Sequence, residues 1–599
     1  MMNDVIKIFE KPLPSTRSGA FFNAFSYPTK ISPESIAVYI ASMTKPGDVV
    51  LDTFGGSGST GIAALLCEKP TDRMLSLSQE LGLSPEWGAR NAIGYEIGTY
   101  GWFAAKTITN RLKEKEFKKA VNDFVKKAEE KLGKYYRATD PDGKEGYIRH
   151  VIWSEILICG NCKKEVSYFD AGVERNPVKF NKLVKCPNCG KESIIDEMDY
   201  AIEDYSDPIL RKMCKRKKRI PAWIYGSTDG KNWDRAAEQE DMQLVEDIDI
   251  DSSSIIPKKI KWGELHRNGY HFGIEYLHQF YTKRNFMIMH QLWEMTNDYA
   301  DSVKDALRLM LLSYNASHCT LMTRVVAKKA SKDFVLTGAQ SGVLYISKLP
   351  VEKNILLGLA RKAKPLAEAY RLLQDCTGSF EVRNQSSQHL VDEDGSIDMI
   401  FTDPPFGDFI PYAEVNQINE LWLDKVTNRV DEIIISESQN KTLDDYKIML
   451  KDVFSEIHRV MKTDASAVVV FHAAKAEVWQ AFENVISSSS LEVQQANILD
   501  KEQASFKQIV SCDSVQGDPI LLLKKTSINR ANLDDNMDII FKILEEHIPD
   551  TEFDERRIYS LYVNECLKKG IKISYDAKDA YIVIRNFRRD YTVNGAVNG

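Results

Sequence analysis

The chain has 599 residues and a mass of 68.2 kDa, so its length predicts about three to five structural units and excludes a single small module. Hydrophobic residues make up 43% and charged residues 28%, values of a globular protein that exclude extensive disorder. The 79 basic and 86 acidic side chains give a net charge of −7, so any contact with nucleic acid must use local basic surfaces.

The sequence also predicts the compartment. No run of apolar residues is long enough for a membrane span, and the first residues lack the pattern of a secretory signal. Four of the ten cysteines form two C-x-x-C pairs, the arrangement of metal ligands in a reducing compartment. We therefore expect a cytoplasmic protein.

The first predicted elements form a strand–helix–strand unit. Hydrophobic spacing predicts helices over 35–43 and 59–67 and strands over 48–52 and 92–96. This order indicates the opening of a parallel sheet. A charged helix is predicted over 104–135, followed by an irregular segment, 136–252, and a mostly helical one, 272–375.

Alternating strands and helices then resume, with strands at 380–382, 397–402, 467–471 and 518–524 and helices at 443–461 and 475–486. The simplest interpretation is one doubly wound, Rossmann-like α/β domain, split by an insertion of about 270 residues. Beyond residue 528, a helical segment and a strand pair, 571–574 and 580–584, predict a small C-terminal α+β unit. The predicted segments are 1–105 for cofactor binding, 106–270 for a zinc ribbon and target recognition, 271–376 for a helical region, 377–527 for catalysis and 528–599 for the C-terminal unit.

A glycine-rich turn, 55–61, follows the first predicted strand. Glycine permits a positive φ and lets a ligand approach the backbone. Gly56, Gly58 and Gly61 fit G-x-G-x-x-G, which alone also allows a nicotinamide or flavin dinucleotide, whereas a Walker phosphate loop is excluded because no Gly-Lys-Ser/Thr follows. Asp52 and Glu96, at the ends of two predicted strands, suit the amino group and ribose of a ligand.

The segment Asp403-Pro404-Pro405-Phe406 directly follows a buried predicted strand. It presents a carboxylate, two rigid turn residues and an aromatic ring where open α/β sheets bind ligands. The Asp403 side chain and the Pro404 carbonyl are suited to accept hydrogen bonds from an exocyclic NH2, while Phe406 stacks on the base. The pattern therefore predicts a site that makes a flat amine nucleophilic.

Together, Asp52-x-Phe54-x-Gly56-x-Gly58, Glu96 and Asp403–Phe406 resemble the S-adenosylmethionine-dependent DNA amino-methyltransferases, which methylate N6 of adenine or N4 of cytosine. Residues 25–34 resemble the segment that closes over the methionine part of the cofactor in this family. The resemblance implies a set of cofactor-binding residues: Tyr27, Pro28, Thr29, Asp52, Phe54, Gly56, Ser57, Gly58 and Glu96.

In this chain the cofactor-binding half precedes the catalytic half, and the insertion lies between them. This order is similar to the class of the family that has its target-recognition region in the middle, so the resemblance implies target recognition by the insertion. The segments 403–414, 421–423 and 468–472, with Trp479, are similar to a subset of large bacterial methylases often encoded in phage-defence loci. Two departures stand out. Phe406 replaces the commoner tyrosine, and Asn384-Gln-Ser-Ser387 follows a strand where relatives often carry an acid that touches the cofactor adenine.

Cys159-Gly-Asn-Cys162 and Cys186-Pro-Asn-Cys189 predict a zinc ribbon. Each pair places two thiolates on one side of a tight turn, and two such turns complete a tetrahedral site with no open position. The bound Zn2+ would therefore be structural.

A basic run, 211–219, follows the ribbon and predicts phosphate contacts by Lys215, Arg216, Lys217, Lys218 and Arg219. A solvated basic face, or pairing with the acidic stretch 238–251, remains an alternative. Trp223 and Tyr225 suit either base contacts or the core. The mixed aromatic and basic stretch 271–284, ending in Lys283 and Arg284, favours packing before DNA.

These patterns lead to one expected function, the transfer of a methyl group to an exocyclic amine of a flipped base in double-stranded DNA. The resemblance favours adenine N6, since Asp before Pro-Pro goes with adenine more often than Ser does. It also implies a role in restriction-modification or phage defence, with further subunits of such a system as partners. Two alternatives remain open: an RNA amino-methyltransferase, and a low-activity nucleic-acid-binding subunit with a methyltransferase-like fold.

Overall fold

The computed structural model describes residues 7–15, 18–175, 177–248, 252–328, 333–501, 518–526, 540, 542–544 and 554–595. They belong to two compact units. Unit 1 comprises the described parts of Met1–Arg111, Glu368–Ala413 and Val426–Gly599. Unit 2 comprises those of Leu112–Ala367 and Glu414–Lys425.

Unit 1 contains an eight-stranded sheet with the order β1-β7-β8-β6-β5-β2-β3-β4. Its strands are β1 (Leu13–Ser15), β2 (Val49–Asp52), β3 (Asn91–Tyr95), β4 (Phe380–Arg383), β5 (Ile397–Thr402), β6 (Met461–Val470), β7 (Leu491–Lys501) and β8 (Asp518–Lys525). Paired neighbours are parallel, except that β8 runs antiparallel to both β6 and β7. Consecutive residues of β6, including Val468 and Val469, are buried, as in strands covered on both faces. The sheet agrees with the predicted doubly wound α/β core.

Along the chain, the helices of unit 1 lie between and beside these strands, as the predicted alternation of strands and helices requires. They are Ala20–Ala24, Pro33–Met43, Ser59–Leu66, Asp72–Leu81, Thr99–Ile108, Leu443–Val460, Ala476–Ser488, Glu555–Lys569 and Ala577–Gly595. Two further helices, Ile355–Leu373 and Tyr412–Val415, include residues of both units.

The predicted C-terminal strand pair is wrong. Residues 577–595 form one helix, and 571–574 belong to no strand. The buried residues Ala577, Ala580, Tyr581 and Ile584 recur at helical spacing, which the prediction mistook for a short apolar strand. These side chains pack in the same hydrophobic cluster as Tyr446 and other residues of unit 1.

The predicted helix over 104–135 is two helices, Thr99–Ile108 and Glu114–Leu132. Between them Arg111 adopts a positive φ of 58°, which interrupts the helical backbone. The charged surface of the second helix carries ion pairs of the predicted spacing, including Lys118–Glu114 at 2.6 Å.

Unit 2 is rich in strands where the sequence predicts irregular structure over 136–252. The long strand Glu145–Ile158 pairs antiparallel with most members of a seven-stranded sheet: Arg137–Thr139, Glu165–Ser167, Asp199–Tyr200, Arg219–Thr228 and Val351–Lys353. Lys231–Ala236 completes it by pairing with Arg219–Thr228. Charged side chains on these strands conceal the alternation that marks a half-buried strand.

Four two-stranded hairpins add to unit 2: Val173–Arg175 with Val178–Phe180, Leu183–Lys185 with Glu192–Ile194, Ile202–Asp207 with Lys212–Lys217, and Arg324–Val326 with Val335–Thr337. Its helices are Glu114–Leu132, Tyr168–Gly172, Gln239–Glu246, Asn268–His271, Lys283–Met295, Asp301–Tyr314 and Gln417–Glu420. Across the described ranges, no helix of either unit combines the length and apolarity needed to span a membrane.

Candidate active site and metal site

The carboxyl ends of β2, β3 and β5 border one cavity in unit 1, open to solvent and with about 900 Å3 of empty volume. Eight of the predicted cofactor residues line it: Tyr27, Pro28, Thr29, Asp52, Phe54, Gly56, Ser57 and Glu96. Asp403 and Pro405 line the same cavity. The two predicted halves of the site, far apart in sequence, therefore share one space.

A buried hydrogen bond joins β2 to β5 beside this cavity. The Thr402 hydroxyl donates to Asp52 Oδ1 at 2.8 Å, and the backbone N–H of Phe54 donates to the same oxygen at 3.0 Å. Burial raises the pKa of Asp52, against the opposing effect of hydrogen bonds from Thr60, Thr402 and Phe54. Asp52 thus fixes the start of the glycine loop and brings a poorly solvated carboxylate to the cavity wall.

Glu96 holds the glycine loop from the neighbouring strand end. Its Oε2 accepts the backbone N–H of Gly56 at 2.6 Å, and its Oε1 accepts the backbone N–H of Gly98. A carboxylate oxygen has two lone pairs, so each oxygen can accept a further hydrogen bond from a ligand hydroxyl. Glu96 therefore shapes the loop and also lines the cavity.

The loop glycines are required by conformation or by close approach. Gly56 and Gly58 have φ values of 50° and 83°, which disfavour side chains. A Cβ on Gly58 would lie 2.8 Å from the Ala105 Cβ, and one on Gly61 would lie 2.4 Å from the Phe380 ring. Gly58 thus starts the helix Ser59–Leu66 without lining the cavity, and Gly61 lets that helix approach β4.

An aromatic wall forms one side of the cavity. Tyr27 stacks on Tyr412 with ring centroids 6.3 Å apart, and the Thr29 hydroxyl lies 2.8 Å from the Tyr412 hydroxyl. Burial raises the pKa of Tyr412, and the nearby carboxylates of Asp403 and Glu96 act in the same direction. Tyr412 is therefore a neutral phenol at physiological pH. Thr29 adopts a positive φ of 56°, unusual for a β-branched residue.

The segment Asp403–Phe406, predicted to be catalytic, divides between cavity and core. Asp403 and Pro405 face the cavity, while Pro404 is buried. Tyr446 donates its hydroxyl to the Pro405 carbonyl at 2.7 Å, which ties the turn to the helix Leu443–Val460. The prolines and this hydrogen bond restrict the turn that presents Asp403.

Phe406 lies elsewhere than predicted. Its side chain is 8% exposed and makes edge contacts with Phe471 and His472, both at a centroid distance of 5.8 Å. It is not among the residues that line the cavity. In this arrangement Phe406 supports the turn from the core. The aromatic residues that line the cavity are Tyr27, Phe54, Tyr95, Phe401 and Tyr412.

Two stretches that sequence reasoning did not assign also line the cavity: Gln385–Ser387 and Asp431–Ile433. Asn384 donates through Nδ2 to the carbonyls of Glu96 and Ile97, which holds the first stretch beside β3. In place of the acid that relatives often carry after this strand, the side-chain amide of Gln385 and the hydroxyls of Ser386 and Ser387 line the cavity. Their polar character was visible in the sequence, but their place depends on β3 and β4 pairing.

The four predicted metal ligands come together in unit 2. The Sγ atoms of Cys159, Cys162, Cys186 and Cys189 all lie within 4.8 Å of one another. Both turns have the same hydrogen bonds: Lys163 N–H to the Cys159 carbonyl at 3.0 Å, and Gly190 N–H to the Cys186 carbonyl at 2.9 Å. Within this cluster the hydrogen bonds from Asn161 and from the backbone N–H of Lys191 lower the pKa of Cys189, whereas the neighbouring thiols raise the pKa of Cys162. Four sulfur ligands in this arrangement are compatible with a closed zinc site.

The basic run is largely neutralised within unit 2. Lys217 is 1% exposed and lies between Glu155, at 3.3 Å, and the Tyr200 ring. Arg219 binds Glu155 at 2.8 Å and its side chain is 10% exposed. These two side chains are therefore unavailable to a DNA backbone in this structure, contrary to prediction.

The other three predicted phosphate contacts are also ion-paired. Arg216 binds Glu203 at 2.7 Å, Lys218 binds Glu165 at 2.7 Å, and Lys215 lies 3.8 Å from Asp204. Glu203 and Asp204 lie on the strand that pairs with Lys212–Lys217, and none of the three partners lies in the acidic stretch 238–251. Antiparallel pairing of Ile202–Asp207 with Lys212–Lys217 sets opposite charges across from each other, which the linear sequence does not reveal.

The other basic position considered from the sequence, Arg284, is buried and ion-paired with Glu352 at 2.6 Å. The stretch 271–284 therefore packs against other parts of the protein, the role that its sequence favours over DNA contact. Trp223 belongs to the hydrophobic contacts of unit 2, with Arg175 stacked over its ring at 3.6 Å, and Tyr225 is buried.

Residues 7–106 match the family model N6_N4_Mtase, described as DNA methylase. The matched region contains Asp52, the glycine loop and Glu96, and it ends before Asp403. No curated protein matches the chain.

Three solved methyltransferase structures show a limited likeness. They are the antibiotic-resistance methyltransferase Kmr (11% identity, TM-score 0.16, 28% of this chain and 73% of that chain), StiE O-MT (11%, 0.15, 28% and 58%), and geranyl diphosphate C-methyltransferase from Streptomyces coelicolor A3(2) (10%, 0.15, 28% and 60%). The chain thus covers less than two thirds of the latter two. Similarities this small identify no substrate.

The mixed α/β sheet and the family match support a Rossmann-like methyltransferase fold for unit 1. The match also supports an enzyme that methylates DNA.

Proposed function

We propose that this protein transfers a methyl group from S-adenosylmethionine to an exocyclic amine of a base in double-stranded DNA, with N6 of adenine as the preferred target. The observation that carries the proposal is the single cavity lined by both the matched glycine loop and Asp403. A target amine is buried in the duplex, so the base must be extruded to reach this cavity.

The residues around the cavity fit the cofactor. Gly56 and Gly58 supply the positive-φ backbone, and a Cβ on Gly56 would lie 3.3 Å from the Tyr27 ring, so a side chain there would fill the cradle. Asp52 is suited to attract the cofactor's amino group, and Glu96 to accept hydrogen bonds from its ribose. Gln385, Ser386 and Ser387 are suited to contact the adenine edge. When bound, the cofactor supplies an electrophilic methyl group.

The chemical role of the chain's own residues is to prepare the amine. The Asp403 carboxylate accepts a hydrogen bond from the exocyclic NH2, which draws the nitrogen lone pair away from the ring and orients it. The Pro404 carbonyl is the second acceptor in this proposal. Phe406, from the core, and Tyr446 stiffen the turn that holds Asp403 in place.

The deciding experiment follows a labelled methyl group into duplex DNA, with digestion to nucleosides. N6-methyladenine is the expected product, and N4-methylcytosine would move the target to cytosine. Labelling of structured RNA in place of DNA would favour the RNA amino-methyltransferase. Nucleic-acid binding with no transfer to any substrate would favour the low-activity subunit.

We extend the proposal to restriction-modification or phage defence, together with further subunits of such a system. Its support is the similarity of residues 403–414 and 468–472 to methylases of defence loci. Sequencing of modified positions in the native host, with and without this protein, tests it. Modification at one defined sequence is expected, and random low-level modification would contradict a restriction role.

A further inference from the structure

The zinc-ligating segment carries a basic surface that the candidate site does not use. Residues 159–194 contain seven basic and four acidic side chains, in a chain whose overall charge is −7. Lys163, Lys164, Lys185 and Lys191 of this segment are exposed. We call these four side chains the ribbon lysines. None of them forms an ion pair with any residue in the described ranges, unlike residues 215–219 of the basic run.

The two metal-binding turns present two of the ribbon lysines, Lys164 and Lys191, at equivalent positions. In the first turn Cys159 N–H donates to the Lys164 carbonyl at 3.0 Å, and in the second Cys186 N–H donates to the Lys191 carbonyl at 2.9 Å. Lys164 and Lys191 therefore occupy corresponding places in the two turns that carry the four sulfurs. A pseudo-symmetric pair of cations on one rigid module is a suitable arrangement for phosphates.

Lys163 occupies a position that favours glycine. The corresponding residue of the second turn is Gly190, and the two have φ values of 59° and 72°. A lysine pays a conformational penalty in this region that glycine does not. The backbone conformation of the turn would favour glycine at this position, so it does not explain why the residue is a lysine. A need for a positive charge at this position does explain it.

The adjoining hairpin adds an exposed face. In the pairing of Leu183–Lys185 with Glu192–Ile194, Leu183 lies opposite Ile194 and Lys185 opposite Glu192. Leu183 is 55% exposed and Ile194 is 44% exposed, while Val184, the next residue after Leu183, is buried and points to the other face. The exposed face thus combines two apolar side chains with Lys185 and, opposite it, Glu192. Its apolar part suits the sugars of a nucleic-acid backbone.

We propose that the ribbon lysines, and not the run 211–219, bind the phosphate backbone of double-stranded DNA. The proposal rests on the proposed function, because that function supplies duplex DNA as the partner. The zinc site then has a second consequence, since it fixes the cations of both turns in one rigid frame.

The test is DNA binding by the full-length protein with all four ribbon lysines changed to Gln. Each lost phosphate contact should flatten the dependence of log affinity on log salt by about 0.9. We expect affinity for any duplex sequence to fall at least about tenfold at about 0.1 M salt. A charge-matched control carries Lys115→Gln, Lys119→Gln, Lys126→Gln and Lys131→Gln on the helix Glu114–Leu132, where all four lysines are exposed. An equal loss in ribbon variant and control would overturn the proposal, because it would reflect net charge alone.

A single substitution separates binding from folding. Lys163→Gly should weaken DNA binding as much as Lys163→Gln, yet be at least as stable to heat, because glycine occupies the same position in the second turn. Unchanged affinity in Lys163→Gly would contradict the proposal. Loss of RNA binding with DNA binding intact would assign the surface to RNA and overturn it as well.

Failure of the proposed function has a different outcome. In that case the wild type transfers no methyl group to DNA, whatever the ribbon lysines do. If the wild type methylates DNA while the ribbon variant keeps its full affinity and salt dependence, only the ribbon proposal fails.

Discussion

Glu96 accepts the backbone N–H of Gly56 through Oε2 at 2.6 Å, so the tip of β3 holds the loop that follows β2. The hydrogen bond gives one carboxylate two tasks, to shape the glycine loop and to face the cavity. Substitutions at the two ends of this contact should therefore have similar effects on cofactor binding.

Gly56→Val and Glu96→Ala should each weaken binding of S-adenosylhomocysteine by about tenfold or more, measured by calorimetry. The valine would be strained at a φ of 50° and would crowd the Tyr27 ring. The alanine would remove the acceptor for the backbone N–H groups of Gly56, in the loop, and of Gly98, after β3. Gly82→Val is the control, because Gly82 also has a positive φ, of 68°, but has open space around it and lies outside the cavity lining. Tight binding of a nicotinamide dinucleotide by the wild type would favour the dinucleotide alternative.

Asp403→Ala should abolish methyl transfer while cofactor affinity stays within about twofold of the wild type, because it removes an acceptor for the amine and leaves the loop intact. Methyl transfer and calorimetry are measured on the same preparation. Asp408→Ala is the matched control, since Asp408 is exposed in the same turn and forms an ion pair with Lys475 at 2.9 Å, away from the cavity lining. Activity above about a tenth of the wild-type value would show that Asp403 has another role.

The glycine loop and Asp403 could be predicted because each depends on a short pattern at a strand end. Gln385–Ser387 and Asp431–Ile433 could not, because they reach the cavity only through the pairing of β3 with β4 and the course of the chain after Tyr412. Lys217 was misassigned for a related reason. A charged residue in a basic run looks exposed until the strand alternation turns it toward Glu155. Part of the helix Ala577–Gly595 was predicted as a strand for a different reason. A short apolar run fits a strand or a buried helix equally well, and the sequence alone does not distinguish them.

Cofactor affinity should fall as the pH falls through the pKa of Asp52. Burial raises that pKa, so Asp52 loses its charge at a higher pH than an exposed aspartate, whose pKa is about 3.9. Only the ionised form attracts the cofactor's amino group. Calorimetry from neutral to acidic pH should give a weaker affinity and a smaller pH dependence for Asp52→Asn. The exposed Asp464→Asn should behave as the wild type, and an Asp52→Asn protein with the wild-type pH profile would refute the role.

Metal analysis of protein purified under reducing conditions should find one zinc per chain. Cys159→Ser with Cys186→Ser should lose the metal and destabilise the ribbon, because closed thiolate sites contribute directly to folding free energy. Cofactor binding should survive, since the cavity is lined by unit 1 alone. Cys214→Ser, outside the cluster, should keep the zinc. Stoichiometric zinc in the double variant would place the metal elsewhere.

The neighbouring strands β3 and β4 pair in parallel, with Phe380 opposite Ala92, although most of unit 2 separates them in sequence. The two ends of that long segment are joined by a hydrogen bond from the Tyr370 hydroxyl to the Thr107 carbonyl at 3.2 Å. The chain thus leaves and rejoins the sheet at nearly the same point. Lengthening a connection between fixed ends costs little further closure entropy. A descendant of this sequence could therefore exchange everything between Thr107 and Tyr370 without shifting the register of a single strand in the sheet.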